Sequence, residues 1–288
     1  MAKAKLDNAT AADLERLCAE FEIYKDGSIL INHYSLYDEW FTLPDSILEI
    51  NFCDMPNQLS FRYFKTSPEI IQLAVMLYVR FPLSLRNVED LLHERGVDVS
   101  YESVRYWWHQ FGSMHASEIK KRRAGGVKSS NWKWHLDEVF VKVNGERHYL
   151  WRAVDHEGEV LESYVAKKRD RKAALKFMKK AMRRYGSPNE IVTDRLRSYS
   201  AAAKELGCAD KQVTQRWANN RAENSHLPLR RRERAMLRFR RMHSLQKFAS
   251  IHASFHNHFN SQSSLSKRST FKLNRDAALT KWRSLIAS

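Results

Sequence analysis

The stretch WHLDEVFVKVNGERHYLWRAVD, residues 134–155, decides the fold of this chain. On either side of Asn144-Gly145 apolar and polar residues alternate, and this period of two is typical of strands with one buried face. An Asn-Gly pair between two such runs predicts a type I′ hairpin. After the turn HEG, the run EVLESYVAKK predicts a third antiparallel strand.

A helix and a fourth strand follow this meander. Asp170 is expected to cap a helix over residues 171–185, and the short apolar run EIVTD, residues 190–194, is typical of a strand buried in a parallel sheet. A right-handed crossover through the helix would lay this run parallel to a strand of the meander. The order predicts an α/β fold of the ribonuclease H-like type, with a mixed five-stranded sheet flanked by helices.

Three acidic residues occupy positions that this fold makes chemically interesting. Asp137 is on the first strand, Asp194 ends the fourth, and Glu223 begins the next helical region within NNRAENSH. Ligands of open α/β sheets bind beside the carboxyl ends of strands, where these residues could converge. Clustered carboxylates favour hard cations, so we predict two Mg²⁺ ions, replaceable by Mn²⁺, that serve phosphodiester chemistry.

Each acid also has a structural interpretation. Asp194 could be a turn residue or a helix cap, and Glu223 could pair with Arg221 or Arg230. Glu138, next to Asp137, is expected on the opposite face of the strand and in contact with solvent. Only the joint placement of the three acids on this strand order favours catalysis.

The charge of the chain favours a polyanionic partner. The formal net charge is +16 over 288 residues; residues 1–60 carry net −7, which leaves +23 for residues 61–288. Double-stranded DNA is the partner that this balance favours, because Lys and Arg side chains release counterions from phosphates, whereas a basic protein without such a partner is the alternative. The acidic residues 1–60 are an extension of unknown role: an accessory domain, an autoinhibitory mimic of DNA, or an extended reading frame.

Residues 61–112 predict a helix-turn-helix domain. Helical periodicity runs through PEIIQLAVMLYVRF, SLRNVEDLLHERG and SYESVRYWWHQFG, with caps at Ser84 and Ser100. Tyr101, Glu102 and Arg105 would then face DNA, and Trp108 or His109 would lie near its backbone. Three packed helices without a DNA role are the alternative. Residues 113–131 are predicted to form a basic linker, and residues 132–288 the catalytic domain with C-terminal helices.

Several arginines follow Glu223 at helical spacing. If one helix continued through this region, Glu223, Arg230, Arg234 and Arg241 would lie on one stripe that leads phosphate-binding cations away from the acidic site, with Arg231 beside it. A solvated arginine face is the alternative interpretation. Three widely spaced cysteines, Cys18, Cys53 and Cys208, predict free thiols in a reducing compartment, and no apolar run is long enough to predict a membrane span.

Three blocks resemble a known family. WHLDEVFVKVNGERHYLWRAVD, IVTDRLRSY and NNRAENSHLPLRRRERAMLRF closely resemble the catalytic blocks of the Asp-Asp-Glu (DDE) transposases of bacterial insertion sequences, in particular the insertion-sequence-six family. The segment from Ser67 to Trp107 looks like that family's helix-turn-helix, so the resemblance covers about residues 61–285. Asp137, Asp194 and Glu223 match the family's metal-binding triad.

The resemblance implies a function and partners. It implies cleavage that exposes 3′-hydroxyls at the inverted-repeat ends of an element, followed by attack of these hydroxyls on target DNA. A homodimer is expected because two DNA ends must be joined, and the implied place is the bacterial cytoplasm, at the nucleoid. A catalytically silent DNA-binding regulator derived from a transposase, or a stand-alone metal-dependent nuclease, is the alternative.

Overall fold

The computed structural model describes residues 61, 64–124, 133–215, 218–236, 239–260 and 267–285, and the backbone of two short strands nearer the N-terminus. The chain divides into two compact units, Met1–Asn57 and Gln58–Ser288. In the first unit, strand β1 (Glu22–Ile23) pairs antiparallel with β2 (Ile29–Leu30). The rest of the predicted acidic extension lies outside the described residues.

The second unit contains helices before, within and after a β-sheet. Its helices are α1 (Pro68–Arg80), α2 (Leu85–His93), α3 (Tyr101–Ala124), α4 (Arg171–Tyr185), α5 (Arg197–Glu205), α6 (Asn220–Ala235), α7 (Met242–Phe259) and α8 (Arg268–Arg283). Its strands are β3 (Lys133–Val143), β4 (Glu146–Asp155), β5 (Val160–Ala166), β6 (Glu190–Val192) and β7 (Gln212–Val213). None of the described helices has both the length and the apolar composition that a bilayer crossing requires.

The sheet has the order β5-β4-β3-β6-β7. Strands β3, β4 and β5 form an antiparallel meander, whereas β6 runs parallel to β3 and β7 parallel to β6. Asn144 and Gly145 both have positive φ angles, 49° and 84°, as the predicted type I′ turn requires. Asp170 accepts a hydrogen bond from the Ala173 backbone N–H and so caps α4. The ribonuclease H-like fold predicted from the sequence is confirmed.

The alternation of β3 and β4 divides their side chains between two cores. On one face, Trp134, Leu136 and Trp151 pack against α4 and α5, where Phe177 and Tyr199 are buried. Cys208, whose thiol is free as predicted, belongs to this core. On the other face, the apolar side chains of β3, β4 and β5 share a core with α1, α2, α3, α6, α7 and α8. The N-terminal helices therefore pack in the same core as one face of the sheet.

Helix α3 corrects the predicted linker. The helix continues through residues 113–124, because Ala116 and Ile119 are buried in the shared core and His115 packs 4.9 Å, ring to ring, from Trp282 of α8. Gly112 does not end the helix; a Cβ atom there would lie 2.8 Å from the Trp108 ring, so glycine permits this packing. Residues 125–132 lie outside the described part of the chain. The division into DNA-binding and catalytic domains stays a prediction.

Replacing His115 with Phe should reduce the loss of stability in acid. Burial lowers the pKa of His115 to about 3. Between pH 6.5 and that value the unfolded chain takes up a proton that the folded chain does not, so stability is lost as the pH falls. We expect the wild type to lose about 2–3 kcal/mol more unfolding free energy than His115→Phe between pH 7 and pH 4.5, measured by urea denaturation. The exposed His93→Phe is the matched control, and equal losses in all three proteins would contradict the burial of an uncharged imidazole.

Candidate active site

The site lies where β6 ends beside β3. Strand β6 has three residues, which pair with Lys133–His135 of β3. The register places Val192 beside His135, and its continuation by two residues brings Asp194 level with Asp137. Because β6 ends here, no named strand of the described residues pairs with β3 on this side beyond His135; at the far end of β3, Val143 bridges Phe239. The predicted meeting of the first and fourth strands near these two acids is therefore present.

Three carboxylates converge at this edge. One oxygen each from Asp137, Glu138 and Asp194 lies within 4.8 Å of the others. Consecutive strand residues point to opposite faces, so Asp137 and Glu138 approach Asp194 from the two sides of the sheet. The Glu138 side chain is only 1% exposed. The prediction that Glu138 is solvated is therefore wrong, because the face it points to is covered by helix α5.

Arg169 neutralises part of this acidic cluster. Its guanidinium donates to a Glu138 carboxylate oxygen and lies 3.3 Å from Oδ2 of Asp194. Burial nevertheless raises the pKa of Glu138 to about 7, and burial also raises the pKa of Asp194 against the opposing effect of a hydrogen bond from the Leu196 backbone N–H. Crowded, partly desolvated carboxylates of this kind favour an added cation. Their hard oxygen atoms suit Mg²⁺ or Mn²⁺.

Helix α6 is fixed against this site at its first turns. The Asn219 side chain donates to the Leu136 carbonyl oxygen at 2.8 Å, on the free edge of β3. Arg152, buried in β4 opposite Asp137, donates to the Ser225 carbonyl oxygen. These two bonds hold the start of α6 against β3 and β4.

His226 contacts the first predicted acid. Its Nε2 lies 3.2 Å from Oδ2 of Asp137, and burial lowers the pKa of this imidazole although Asp137 opposes the shift. The sequence analysis did not identify His226 or Glu138 as site residues. The signals for them are modest: Glu138 adjoins Asp137, and His226 follows Glu223 by one helical turn.

Glu223 stands apart from the three clustered carboxylates. It lies exposed in the first turn of α6, one turn before His226 and therefore on a neighbouring part of the same helix face. Within the part of the chain that the structure describes, Glu223 forms no ion pair with Arg221 or Arg230, so the alternative of a structural ion pair has no support. The structure brings Asp137 and Asp194 together and adds Glu138 rather than Glu223 as the third close acid.

The predicted DNA contacts of the N-terminal helices differ in exposure. Tyr101 and Arg105 are partly exposed at the start of α3, where Arg105 pairs with Glu102 at 2.7 Å and lies over the Tyr101 ring. Trp108 is only 5% exposed and packs edge-on against Phe248. The prediction that Trp108 lies near the DNA backbone is wrong, because its ring fills the shared core.

The arginines after Glu223 do not form one continuous stripe. Helix α6 ends at Ala235, and Arg241 is the N-cap residue of α7, so the prediction of a single helix through Arg241 is wrong. Arg230 donates to the Phe140 carbonyl oxygen and pairs with Glu233. Arg231 and Arg234 are exposed on α6. The cations that face solvent on this helix are thus Arg231 and Arg234.

Comparisons with known proteins relate this chain to a protein family, to two similar sequences and to a solved structure. A family model described as a DDE domain matches residues 131–262, which include Asp137, Asp194 and Glu223. The transposase for the insertion sequence-like element IS431mec of Staphylococcus aureus strain Mu50 is 32% identical over 171 residues, which cover 58% of this chain and 75% of that protein. The transposase for the insertion sequence element IS257 in transposon Tn4003 of Staphylococcus aureus has the same identity and coverage. The solved HTLV-2 integrase catalytic core domain, in complex with magnesium, has a TM-score of 0.35 and 18% identity over 46% of this chain and 90% of that chain.

Removing the charge of Arg169 should destabilise the protein more than removing that of its neighbour Arg171. Arg169→Gln leaves the buried Glu138 carboxylate without its cation, whereas Arg171 forms a surface pair with Glu205. Solvent screens part of this interaction, because Arg169 is itself 40% exposed. We therefore expect Arg169→Gln to lower the free energy of unfolding in EDTA by about 1–2 kcal/mol, and Arg171→Gln to lower it by less than about 1 kcal/mol. Urea denaturation measures both values, and equal small losses would show that Arg169 does not compensate the acidic cluster.

Proposed function

The chain belongs to the DDE transposases of bacterial insertion sequences, of the insertion-sequence-six type, and from this we propose that it binds the inverted-repeat ends of its element, cleaves them to expose 3′-hydroxyls and joins these to target DNA. Family membership makes it a polynucleotidyl transferase. The observation that carries the proposal is the convergence of Asp137 and Asp194 at the free edge of β3, with Glu223 one turn from the histidine that contacts Asp137.

We propose that Asp137, Asp194 and Glu223 hold two divalent metal ions. The donor set fits: two carboxylates already converge, and Glu223 is exposed and makes no competing ion pair with Arg221 or Arg230 among the described residues. When bound, Mg²⁺ ions activate an attacking oxygen and stabilise the leaving oxygen of a phosphodiester. Glu138 is the competing third ligand, because its oxygen lies in the cluster. The burial of Glu138 and its ion pair with Arg169 support a different role, in which Glu138 neutralises the charge of Arg169 and does not bind metal.

The side chains around the acids position them. His226 fixes the Asp137 carboxylate by the contact at Oδ2, and the Leu196 backbone N–H fixes Asp194. The bond from Asn219 to the Leu136 carbonyl oxygen sets the position of the first turn of α6, and with it the position of Glu223. Preorganisation of this kind keeps the acids in place before DNA arrives.

We propose that DNA crosses two basic surfaces. One is the start of α3, where the Arg86 and Arg105 guanidinium groups both lie over the Tyr101 ring. The other is the exposed side of α6 at Arg231 and Arg234, beyond the acidic site. Residues 61–112 would then bind the element end as a helix-turn-helix, and residues 132–288 would carry the chemistry. A homodimer follows because two ends must be joined.

Removing any one of the three proposed metal ligands should abolish joining. Asp137→Asn, Asp194→Asn and Glu223→Gln each remove a metal-binding charge and leave the basic surfaces in place. We expect no joined product from a labelled duplex carrying the source element's end, in Mg²⁺ or Mn²⁺, together with unchanged binding of that duplex. Asp210→Asn, at an exposed carboxylate outside the site, is the matched control and should join normally.

The same assay separates the alternatives. Joining by Glu223→Gln, with loss in Glu138→Gln, would make Glu138 the third ligand. Specific binding without cleavage by the wild type in either metal would favour the silent regulator. Cleavage without joining would favour the stand-alone nuclease.

Neutralising the exposed arginines of α6 should weaken the salt dependence of DNA binding. Each phosphate contact contributes about −0.9 to the slope of log Kobs against log salt concentration, so Arg231→Gln and Arg234→Gln should each reduce the magnitude of that slope by about 0.9. Fluorescence anisotropy across a salt series measures this slope. Arg183→Gln, at an exposed position of α4, is the matched control. If the slope changed equally in all three variants, α6 would not contact DNA at Arg231 and Arg234.

A further inference from the structure

A pocket of about 500 Å³ lies between the start of α6, the end of α7 and the β4–β5 turn. The polar side chains that line it include His135, Asn220, Arg221, Asn224, His256 and Asn260. The three asparagines are exposed, whereas His135 is 6% exposed, so the pocket extends from the surface to a buried imidazole. Its volume falls in the range of about 300–1,000 Å³ that is usual for small-ligand pockets.

The pocket adjoins the carboxylate cluster. His135 and Asp137 are two residues apart on β3 and therefore point to the same face, about 6–7 Å apart along the strand. Ser225, which also lines the pocket, directly precedes His226, the partner of Asp137. The separation of His135 and Asp137 equals about two base-pair rises of 3.4 Å. If a DNA phosphate lay at the acids, a nucleotide about two positions along the strand would therefore lie at this pocket.

The lining suits an uncharged polar ligand group better than a phosphate. Arg221 is the one cation among the lining residues, all of which are described, and there is no carboxylate among them. Carboxamides of asparagine present both donors and acceptors, as the edges of nucleobases do. Burial lowers the pKa of His256 to about 4, which leaves that imidazole uncharged near neutral pH.

The buried end of the pocket has an unmet hydrogen-bonding group. The Nδ1 atom of His135 has no hydrogen-bond partner among the described residues, although the side chain is almost fully buried. A buried polar atom of this kind is costly unless a ligand or water satisfies it. A ligand that reaches His135 must enter between the asparagines at the surface.

We propose that this pocket takes the base of a DNA nucleotide that has left the helical stack beside the scissile phosphate. The inference rests on the proposed function and deepens it by assigning a binding site for the base next to the reacting strand. Asn224 and Asn260 hydrogen-bond the edge of the base, His135 receives its far end, and Arg221 at the rim contacts the adjoining phosphate. An unstacked base read by hydrogen bonds to its edge is a known way for proteins to reach a strand inside a duplex.

The test combines a protein variant with removal of the base. Duplexes carrying the source element's end are prepared intact and with an abasic residue at each of the two positions on either side of the cleavage point. Binding is measured by fluorescence anisotropy in EDTA for the wild type and Asn224→Ala. Loss of one hydrogen bond should weaken binding of intact DNA by about 2- to 10-fold, whereas at one abasic position the two proteins should bind equally.

The matched control is Asn274→Ala, an exposed asparagine of α8 outside the pocket, which should match the wild type on every duplex. Asn260→Ala, at the opposite side of the pocket, should repeat the behaviour of Asn224→Ala. In a second arm, 2-aminopurine replaces the base at the same positions. Its fluorescence should rise when the wild type binds and rise less with Asn224→Ala, since unstacking relieves quenching.

Three outcomes would overturn the inference. Equal weakening on intact and abasic DNA would show that Asn224 contacts the backbone only. Unchanged 2-aminopurine fluorescence at all positions would show that no base leaves the stack. Competition by free deoxynucleoside monophosphates, without any effect of base removal, would make the pocket a free-nucleotide site. Joining by the wild type in these cases would leave the proposed function intact, whereas absence of joining with every duplex in Mg²⁺ would count against that function itself.

Discussion

The hydrogen bond from the Asn219 side chain to the Leu136 carbonyl oxygen is the interaction on which the site depends. Strand β6 ends after three residues, so directly beyond His135 the backbone of β3 has no neighbouring strand among the described residues. A buried carbonyl oxygen without a partner would be costly, and here a side chain replaces the missing strand. Because that side chain belongs to the N-cap residue of α6, the same bond positions the helix that carries Glu223 and His226 beside the adjacent Asp137.

Charge balance imposes the second constraint. Asp137, Glu138 and Asp194 are close enough to repel one another, and Arg169 compensates two of them from outside the sheet. On the other side of the strand, Arg152 is fully buried opposite Asp137, and burial lowers its pKa to about 10. The guanidinium of Arg152 donates to the Ser225 carbonyl oxygen of α6, so Arg169 is the arginine that pairs with the acids among the described residues. Within that arrangement further positive charge is still favourable, because burial raises the pKa of both Glu138 and Asp194.

Local patterns predicted much of the fold. The alternation around Asn144-Gly145 and the cap at Asp170 are short-range signals, and each fixes one element without help from the rest of the chain. Asp194 was predictable because it follows a short buried strand, whose end lies at the edge where parallel strands place ligands. These predictions succeeded where backbone geometry and sequence period agree.

Long-range packing decided what the sequence did not reveal. Trp108 is on the helix predicted to face DNA, but its contact partner Phe248 lies 140 residues further along the chain, so no local pattern separates a core ring from a surface ring. Residues 113–124 read as a linker because of their basic cluster, yet Ile119 and His115 are buried against elements distant in sequence. Glu138 was assigned to solvent by strand alternation alone. The alternation of side chains along a strand predicts which face of the sheet a side chain points to, but it does not predict whether a helix covers that face.

Helix α6 shows how one element serves several requirements at once. Its period of 3.6 residues sends Asn220 and Asn224 towards the pocket, His226 towards Asp137, and Arg232 into the shared core, where its guanidinium donates to the Leu83 carbonyl oxygen. Arg231, which directly precedes the buried Arg232, is exposed to solvent. A shift of this helix along its axis would displace Glu223, His226 and Arg231 together, along with the asparagines that line the pocket. The isolated acid of NNRAENSH is thus explained by its place on the helix: it stands one turn before His226, which contacts Asp137, and about two turns before Arg230 and Arg231.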